Sequence, residues 1–327
     1  MMKAMLLGLA ILAGIAARTP ARAAETLTFA YLLDPVYETV LWPIRNGKVA
    51  SDQVAIEAKP LDIPALLQAT ATKAYDVIMT AVVGVPKAAA RGLALKIVGI
   101  GLRSSPAGGG AAIWVKASSP IKSVADLKGK TIGVYSLPSA GITLIRIALW
   151  KSFGMNVALN GGDMRWVELP APALPGALLA GKVDAATLIH SQAYAAGKSG
   201  DFRVLLETSP LADKAVGGQS ISAVFVAFPE RLEERPEAYA AFVKLLRASV
   251  DYTMAHQDEV FAAVGAATHV DPQFFRAWFA TYSEVPVTIA PKDIAVIQRE
   301  WELCKELGVL DSYPRAADAV WDRAVER

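Results

Sequence analysis

The chain has 327 residues, 54% of them apolar, and its 33 basic and 31 acidic side chains leave a formal charge of +2. That length and apolar content support a large core divided over two domains or lobes, and the dispersal of Lys and Arg among Asp and Glu, with no basic block, excludes a dedicated nucleic-acid surface. The sole cysteine, Cys304, excludes an intramolecular disulfide.

The first element in chain order is MMKAMLLGLAILAGIAARTPARAAE, with Lys3, an apolar run over 4–17, and small residues at Ala21 and Ala23. This is the layout of a cleavable secretory signal peptide over residues 1–23. The run falls short of the roughly 20 residues that cross a bilayer. Its removal takes away Lys3, Arg18 and Arg22, which lowers the formal charge from +2 to −1. An export signal without a disulfide suits a bacterial periplasmic protein. No later apolar run reaches about 18 residues, so the mature protein is expected to be soluble.

After the leader, TLTFAYL reads as a strand, LDPVYETVLWPIRNG as a turn and helix, and VAIEAKP as a second strand. DIPALLQATATKA carries an Asp cap, an early Pro and helical apolar spacing. YDVIMTAV and ALKIVGIG follow as strands separated by the helical VPKAAARGL. This β-α-β-α-β alternation predicts an open sheet covered by helices on both faces.

GGGAAIWVKASSPIKSVADLKGKTIGV starts as a strand, and residues 116–120 read as a first crossing into a second lobe. That lobe holds KTIGV and its helix, DMRWVEL, the helix APALPGALLAGK, and the strands VDAATLI and FRVLLET. A second crossing is expected at residues 217–219, after which the chain is almost all helix and packs back onto the first lobe. The expected division is 24–117 with 219–327 as a discontinuous first lobe and 118–218 as the second. Two crossings make a two-strand hinge, the architecture of an α/β clamshell that closes on a ligand.

GKTIGVYSLPSAGITLIRIALWKSFG, residues 129–154, has the form strand, Ser/Pro/Gly loop, apolar helix. A P-loop needs glycine at Val124, and a nucleophile elbow needs glycine at Leu137, so neither is present. Of three histidines only His190 follows a predicted strand, which leaves no triad, and no spacing suits a metal. What remains is a helix N-terminus, whose unpaired N–H groups and dipole can hold an anionic oxygen. Ser136, Pro138, Ser139, Ala140 and Gly141 make up that loop, although a serine there commonly only caps its own helix.

Other predicted strand ends converge on the same cleft, because ligands of open α/β sheets lie beyond the carboxyl ends of the strands. They bring Tyr37, which reads equally as a core aromatic; Thr80 and Ala81; Arg103, a cation suited to a carboxylate or sulfonate; and His190, a ligand donor or a partner of a backbone carbonyl. Asp34, ahead of Pro35, reads as a turn initiator rather than a ligand contact. Trp42, Trp114 and Trp166 read as packing residues.

With these segments assembled, the sequence resembles the substrate-binding proteins of bacterial ABC importers of the nitrate/sulfonate/taurine type, which include thiamine-precursor-binding relatives. The carriers are YDVIMTAV with AAARGLALKIVG, then WVKASSPIKSVADLKGKTIGV, ALLAGKVDAATL and VFVAFPERLEERPEAYAAFVK. The resemblance implies a type II periplasmic-binding-protein-like fold, a small organic anion (sulfonate or carboxylate) between the lobes, a permease partner in the inner membrane, no cofactor, and a monomer. By position it assigns backbone donors to residues 136–141, where Pro138 departs from the family's Gly/Ser/Thr-rich loop and cannot donate. Enzymes that resemble the same scaffold, thiamine-pyrimidine synthases and decarboxylase-like proteins, supply an alternative, as does a ligand-sensing partner of a membrane sensor.

Overall fold

The computed structural model describes residues 24–326. The leader expected over residues 1–23 lies outside the described residues. Two mixed sheets, each flanked by helices, form the molecule.

The chain opens with β1 (Glu25–Leu32), α1 (Pro35–Arg45), β2 (Val54–Leu61), α2 (Ile63–Thr72), β3 (Val77–Ala81), α3 (Gly84–Ala89) and β4 (Lys96–Ser104). The helix starts follow local chemistry. Asp34 accepts from the Val36 N–H and Asp62 from the Ala65 N–H, each just ahead of a proline in the first turn.

Then come β5 (Ala112–Lys116), β6 (Thr131–Val134), α4 (Ala140–Phe153), β7 (Arg165–Glu168), α5 (Leu174–Leu179), β8 (Ala185–Thr187), α6 (His190–Ser199), β9 (Phe202–Glu207) and α7 (Ser209–Val216). The remainder is β10 (Ile221–Ala227), α8 (Pro229–Glu234), α9 (Pro236–Ala255), α10 (Gln257–Thr268), α11 (Pro272–Ala277), a π-helical turn over Trp278–Tyr282, β11 (Ser283–Glu284), α12 (Pro291–Glu306) and α13 (Ala316–Ala319).

The first sheet has the order β11-β4-β10-β3-β1-β2 and the second β7-β6-β8-β5-β9. Returning from the second lobe, the chain inserts β10 between β3 and β4, antiparallel to both. One correction follows for the lobe boundary. β5 pairs with β8 and β9, not within the first sheet, so the outward crossing runs over residues 105–111, ahead of the expected 116–120. The return crossing occupies residues 208–220.

These two crossings are hydrogen-bonded to each other. Thr208 N donates to Ala111 O at 2.8 Å and Ser104 N to Ser220 O at 2.9 Å. The Asp213 carboxylate also receives Ser104 Oγ at 2.8 Å and Ser220 N at 2.9 Å.

Each face of each sheet carries its own apolar core. α4 belongs to two of them. Ile142, Ile145 and Leu149 pack into the core of the second sheet, while Ala140, Leu144, Ile147 and Ala148 join a first-lobe core with Val216, Val224 and Trp301. A helix apolar on nearly every side is expected where both of its sides are covered. Cys304, on α12, is buried in the same first-lobe core, and burial pushes its thiol up to about 12. Among the described residues no helix is long and apolar enough to cross a membrane.

Candidate functional site

Where the carboxyl ends of β1, β3, β4, β6 and β8 face one another, the lobes enclose a cavity of about 240 Å³. This is the position at which open α/β sheets take their ligands. Its apolar wall includes Leu32, Leu66, Met79, Leu102, Leu144 and Leu188.

One polar end is the start of α4. Ser139 caps the helix, its Oγ accepting from Ile142 N at 3.3 Å and its carbonyl from Thr143 N at 3.1 Å. Within the preceding loop, Leu137 N is taken by Glu168 at 2.7 Å and Ser139 N by the Ser136 carbonyl at 3.1 Å. The N–H groups of Ala140 and Gly141 have no acceptor among the described residues, and both residues line the cavity. The loop therefore offers two open amides beside a helix dipole, despite Pro138.

Tyr135 stands over these amides. Its phenol lies beside the Ser139 side chain, and its burial raises its pKa, so it remains a neutral hydroxyl. A β-carbon on Gly141 would come within 2.5 Å of Tyr135 Oη. Glycine here lets the phenol approach the helix start, and the demand is one of space rather than of backbone torsion.

On β8, next to β6, Thr187 is 1% exposed and its Oγ1 has no hydrogen-bond partner, although it lies on the cavity wall. A buried hydroxyl without a partner costs about 1–3 kcal/mol, and a ligand atom in the cavity can supply that partner. Thr80 and Ala81, from the end of β3, also line the wall.

His190 lies on the wall as a cross-lobe tie. Trp278 Nε1, on the π-helical turn of the first lobe, donates to His190 Nδ1 at 2.7 Å. An indole nitrogen only donates, so Nδ1 is the acceptor and the neutral ring carries its proton on Nε2. Burial pulls the His190 pKa down to about 4, with a backbone hydrogen bond to Gly110 acting weakly in the other direction. Neighbouring contacts reinforce the tie: Tyr194 Oη and Lys198 Nζ, both on α6, each reach Asp271 at 3.1 Å.

Three expected site residues lie elsewhere. Arg103 alternates with Leu102 and Ser104 along β4, so those two face the cavity and the guanidinium points away. There it contacts Glu284 at 2.8 Å and Asp293 at 3.1 Å, a cation already matched by two carboxylates. Tyr37 is fully buried in a core of the first lobe and donates to the Gly101 carbonyl at 2.8 Å. Ser136 is buried behind the loop, its carbonyl used by Ser139, and is absent from the cavity wall.

The reading by strand ends set Asp34 aside as a turn initiator. Its Oδ1 caps α1 at 2.9 Å from Val36 N, as a turn initiator would, but the residue also lines the cavity, and burial raises its pKa. Its position immediately after β1 was the available signal. Tyr282 was missed, since its site depends on the π-helical turn.

The fold is shared with solved binding proteins. The alkanesulfonate-binding protein SsuA from Xanthomonas axonopodis pv. citri, solved bound to MOPS, superposes with a TM-score of 0.71 at 19% identity, over 92% of this chain and 99% of that one. The periplasmic aliphatic sulphonate binding protein SsuA from Escherichia coli gives 0.70 at 18% identity, over 93% and 94%. A ligand-binding component of an ABC-type import system from Staphylococcus aureus gives 0.69 at 16% identity, over 91% and 96%. At such identities the likeness establishes the two-lobed binding-protein fold. No curated protein sequence matches the chain. The family model described as NMT1/THI5 like matches residues 54–260, a span that runs from β2 through both crossings into α10, and the chain belongs to that NMT1/THI5-like family.

Proposed function

We propose that this chain is the solute-binding component of a bacterial ABC importer. It is exported to the periplasm, closes its lobes as a monomer on a small organic molecule, and presents the closed form to a permease in the inner membrane. The observation that carries this reading is the cavity between the lobes, lined by apolar side chains and carrying the open amides of Ala140 and Gly141 with the unpartnered Thr187 hydroxyl. Such a mixture suits the binding of a small molecule. Two sulfonate-binding proteins share the fold, which supports the same role.

In this reading the Ala140 and Gly141 amides and the Thr187 hydroxyl take an acceptor oxygen of the ligand, such as one of a sulfonate, carboxylate or carbonyl group. His190 has its Nδ1 committed to Trp278 and is neutral near pH 7, which favours a positioning role over proton transfer. Binding shifts an open–closed equilibrium, and the closed form is what a permease would read. Native mass spectrometry of protein purified without refolding, followed by titration of the compound it releases, tests the role. The expected result is one bound small molecule whose saturation raises Tm and shrinks the radius of gyration in solution scattering. A compound that is chemically changed on incubation with the protein would sink the receptor reading in favour of an enzyme.

A further inference from the structure

We propose that the ligand carries no net negative charge and presents an amino or ammonium donor to Asp34, with an apolar body between that end and the start of α4; this rests on the solute-receptor reading above. The charges around the cavity point this way. Among the described residues that line it, none is Lys or Arg. Its titratable side chains are Asp34, Tyr135, His190 and Tyr282. Burial keeps His190 neutral and both tyrosines protonated, so Asp34 is the wall's one candidate for a full charge. The nearby cation, Arg103, faces away and is matched by Glu284 and Asp293.

Asp34 is equipped to receive a donor. One carboxylate oxygen caps α1 through Val36 N, and no partner is present for the other among the described residues. A carboxylate desolvated in this way gains most from an ammonium or N–H partner and is most opposed by a second negative charge. From the side of the second sheet, the Ala140 and Gly141 amides and the buried Thr187 Oγ1 can all donate a hydrogen bond, which suits an acceptor. The same cavity is lined by the apolar Leu32, Leu66, Met79, Leu102 and Leu144. A neutral amine-bearing molecule, a cation or a zwitterion fits this polarity. A simple alkanesulfonate would bring a fixed negative charge into a chamber with no cation to meet it.

The test is calorimetric titration of the whole purified chain with three probes of one carbon skeleton: hexylamine, hexanol and hexanesulfonate. Wild-type protein is expected to bind the amine at least tenfold tighter than the sulfonate. Asp34→Asn retains a strong N-cap residue, so its Tm should match wild type while its amine affinity falls tenfold and the preference narrows or reverses. Asp34→Ser, a second capping residue, should behave alike. Tighter sulfonate binding by wild type, or an unchanged ratio in both variants, overturns this inference and leaves the receptor reading standing. Failure of all three probes to bind folded protein at millimolar concentration would overturn this inference too, while the receptor reading stands or falls by the native mass spectrometry above.

Discussion

A methyl group at position 141 would occupy the place of the Tyr135 hydroxyl, since its carbon would stand 2.5 Å from that oxygen. In Gly141→Ala the phenol must shift from its place beside the Ala140 and Gly141 amides, disturbing the surface they offer a ligand. Helix stability is not at issue, since alanine favours a helix by about 1 kcal/mol over glycine. The expected outcome is a preserved or slightly raised Tm with ligand affinity reduced about tenfold, the equivalent of about 1.4 kcal/mol, as measured by calorimetry. A second residue-scale prediction concerns His190. Its pKa is about 4 when docked against Trp278, below the ordinary 6.5. A state that frees the ring binds a proton below pH 6.5 while the docked state does not. The docked form is therefore fully favoured above pH 6.5 and loses stability as pH falls towards 4, by on the order of 3 kcal/mol. His190→Gln can still accept the indole N–H but does not titrate. Its unfolding profile should lack that part of the acid slope, and identical slopes in the two proteins would refute the assignment. Residue roles were unevenly legible in the sequence. Thr80, Pro138, Ala140 and Gly141, which line the cavity, came from the rule that ligands lie beyond strand ends, whereas Arg103 faces away from it and Asp34 lines it as well as capping α1. Both follow or end strands, and which one faces the cleft depends on side-chain alternation counted from a terminus that sequence leaves loose by a residue or more.

At the scale of elements, α4 is the part on which both lobes depend. Ile147 and Leu149 are both 0% exposed, the first packed into the first-lobe core and the second into that of the second sheet. Truncating either to alanine should cost about 2–5 kcal/mol, but hydrogen exchange should separate them. Ile147→Ala should speed exchange in α7 and the start of β10, and Leu149→Ala should speed it in β6 and β8. Equal patterns would mean that the two cores unfold as one. The helix, its serine cap and its Gly154 stop were visible in the sequence, because caps and apolar runs are local signals. Sheet membership was not. β5 reads as a strand in either lobe, and its partners β8 and β9 lie some 70 to 95 residues further along the chain, beyond any local pattern.

For the whole molecule, the lobes are tied on two sides, by α6 against Asp271 and by Lys151 with Glu306 between α4 and α12 at 2.9 Å. Asp271 also caps α11 through Gln273 N at 2.9 Å. Asp271→Asn keeps the cap and removes the charge that faces Lys198, so it should favour the open form in ligand-free protein without lowering Tm. Scattering at low salt should show a larger radius of gyration for the variant, and the difference should vanish at high salt, because exposed ion pairs are screened. A difference that persists in high salt would locate the effect elsewhere. The two-lobed architecture itself was legible, since strand and helix alternation interrupted twice has few compact solutions. The contacts between the lobes were not, because they are single contacts such as Trp278 with His190 that join residues 88 apart in sequence.

Cys304 has a practical use. Because the native thiol is buried with its pKa pushed to about 12, it is a poor target for maleimide dyes, which react with exposed thiolates. A cysteine in place of Leu67, which is 46% exposed and borders the cavity, would then carry the dye without removal of the natural residue. Lobe closure over that rim would change the dye's surroundings, making the protein an optical sensor for its own ligand and a means of screening compound libraries by fluorescence.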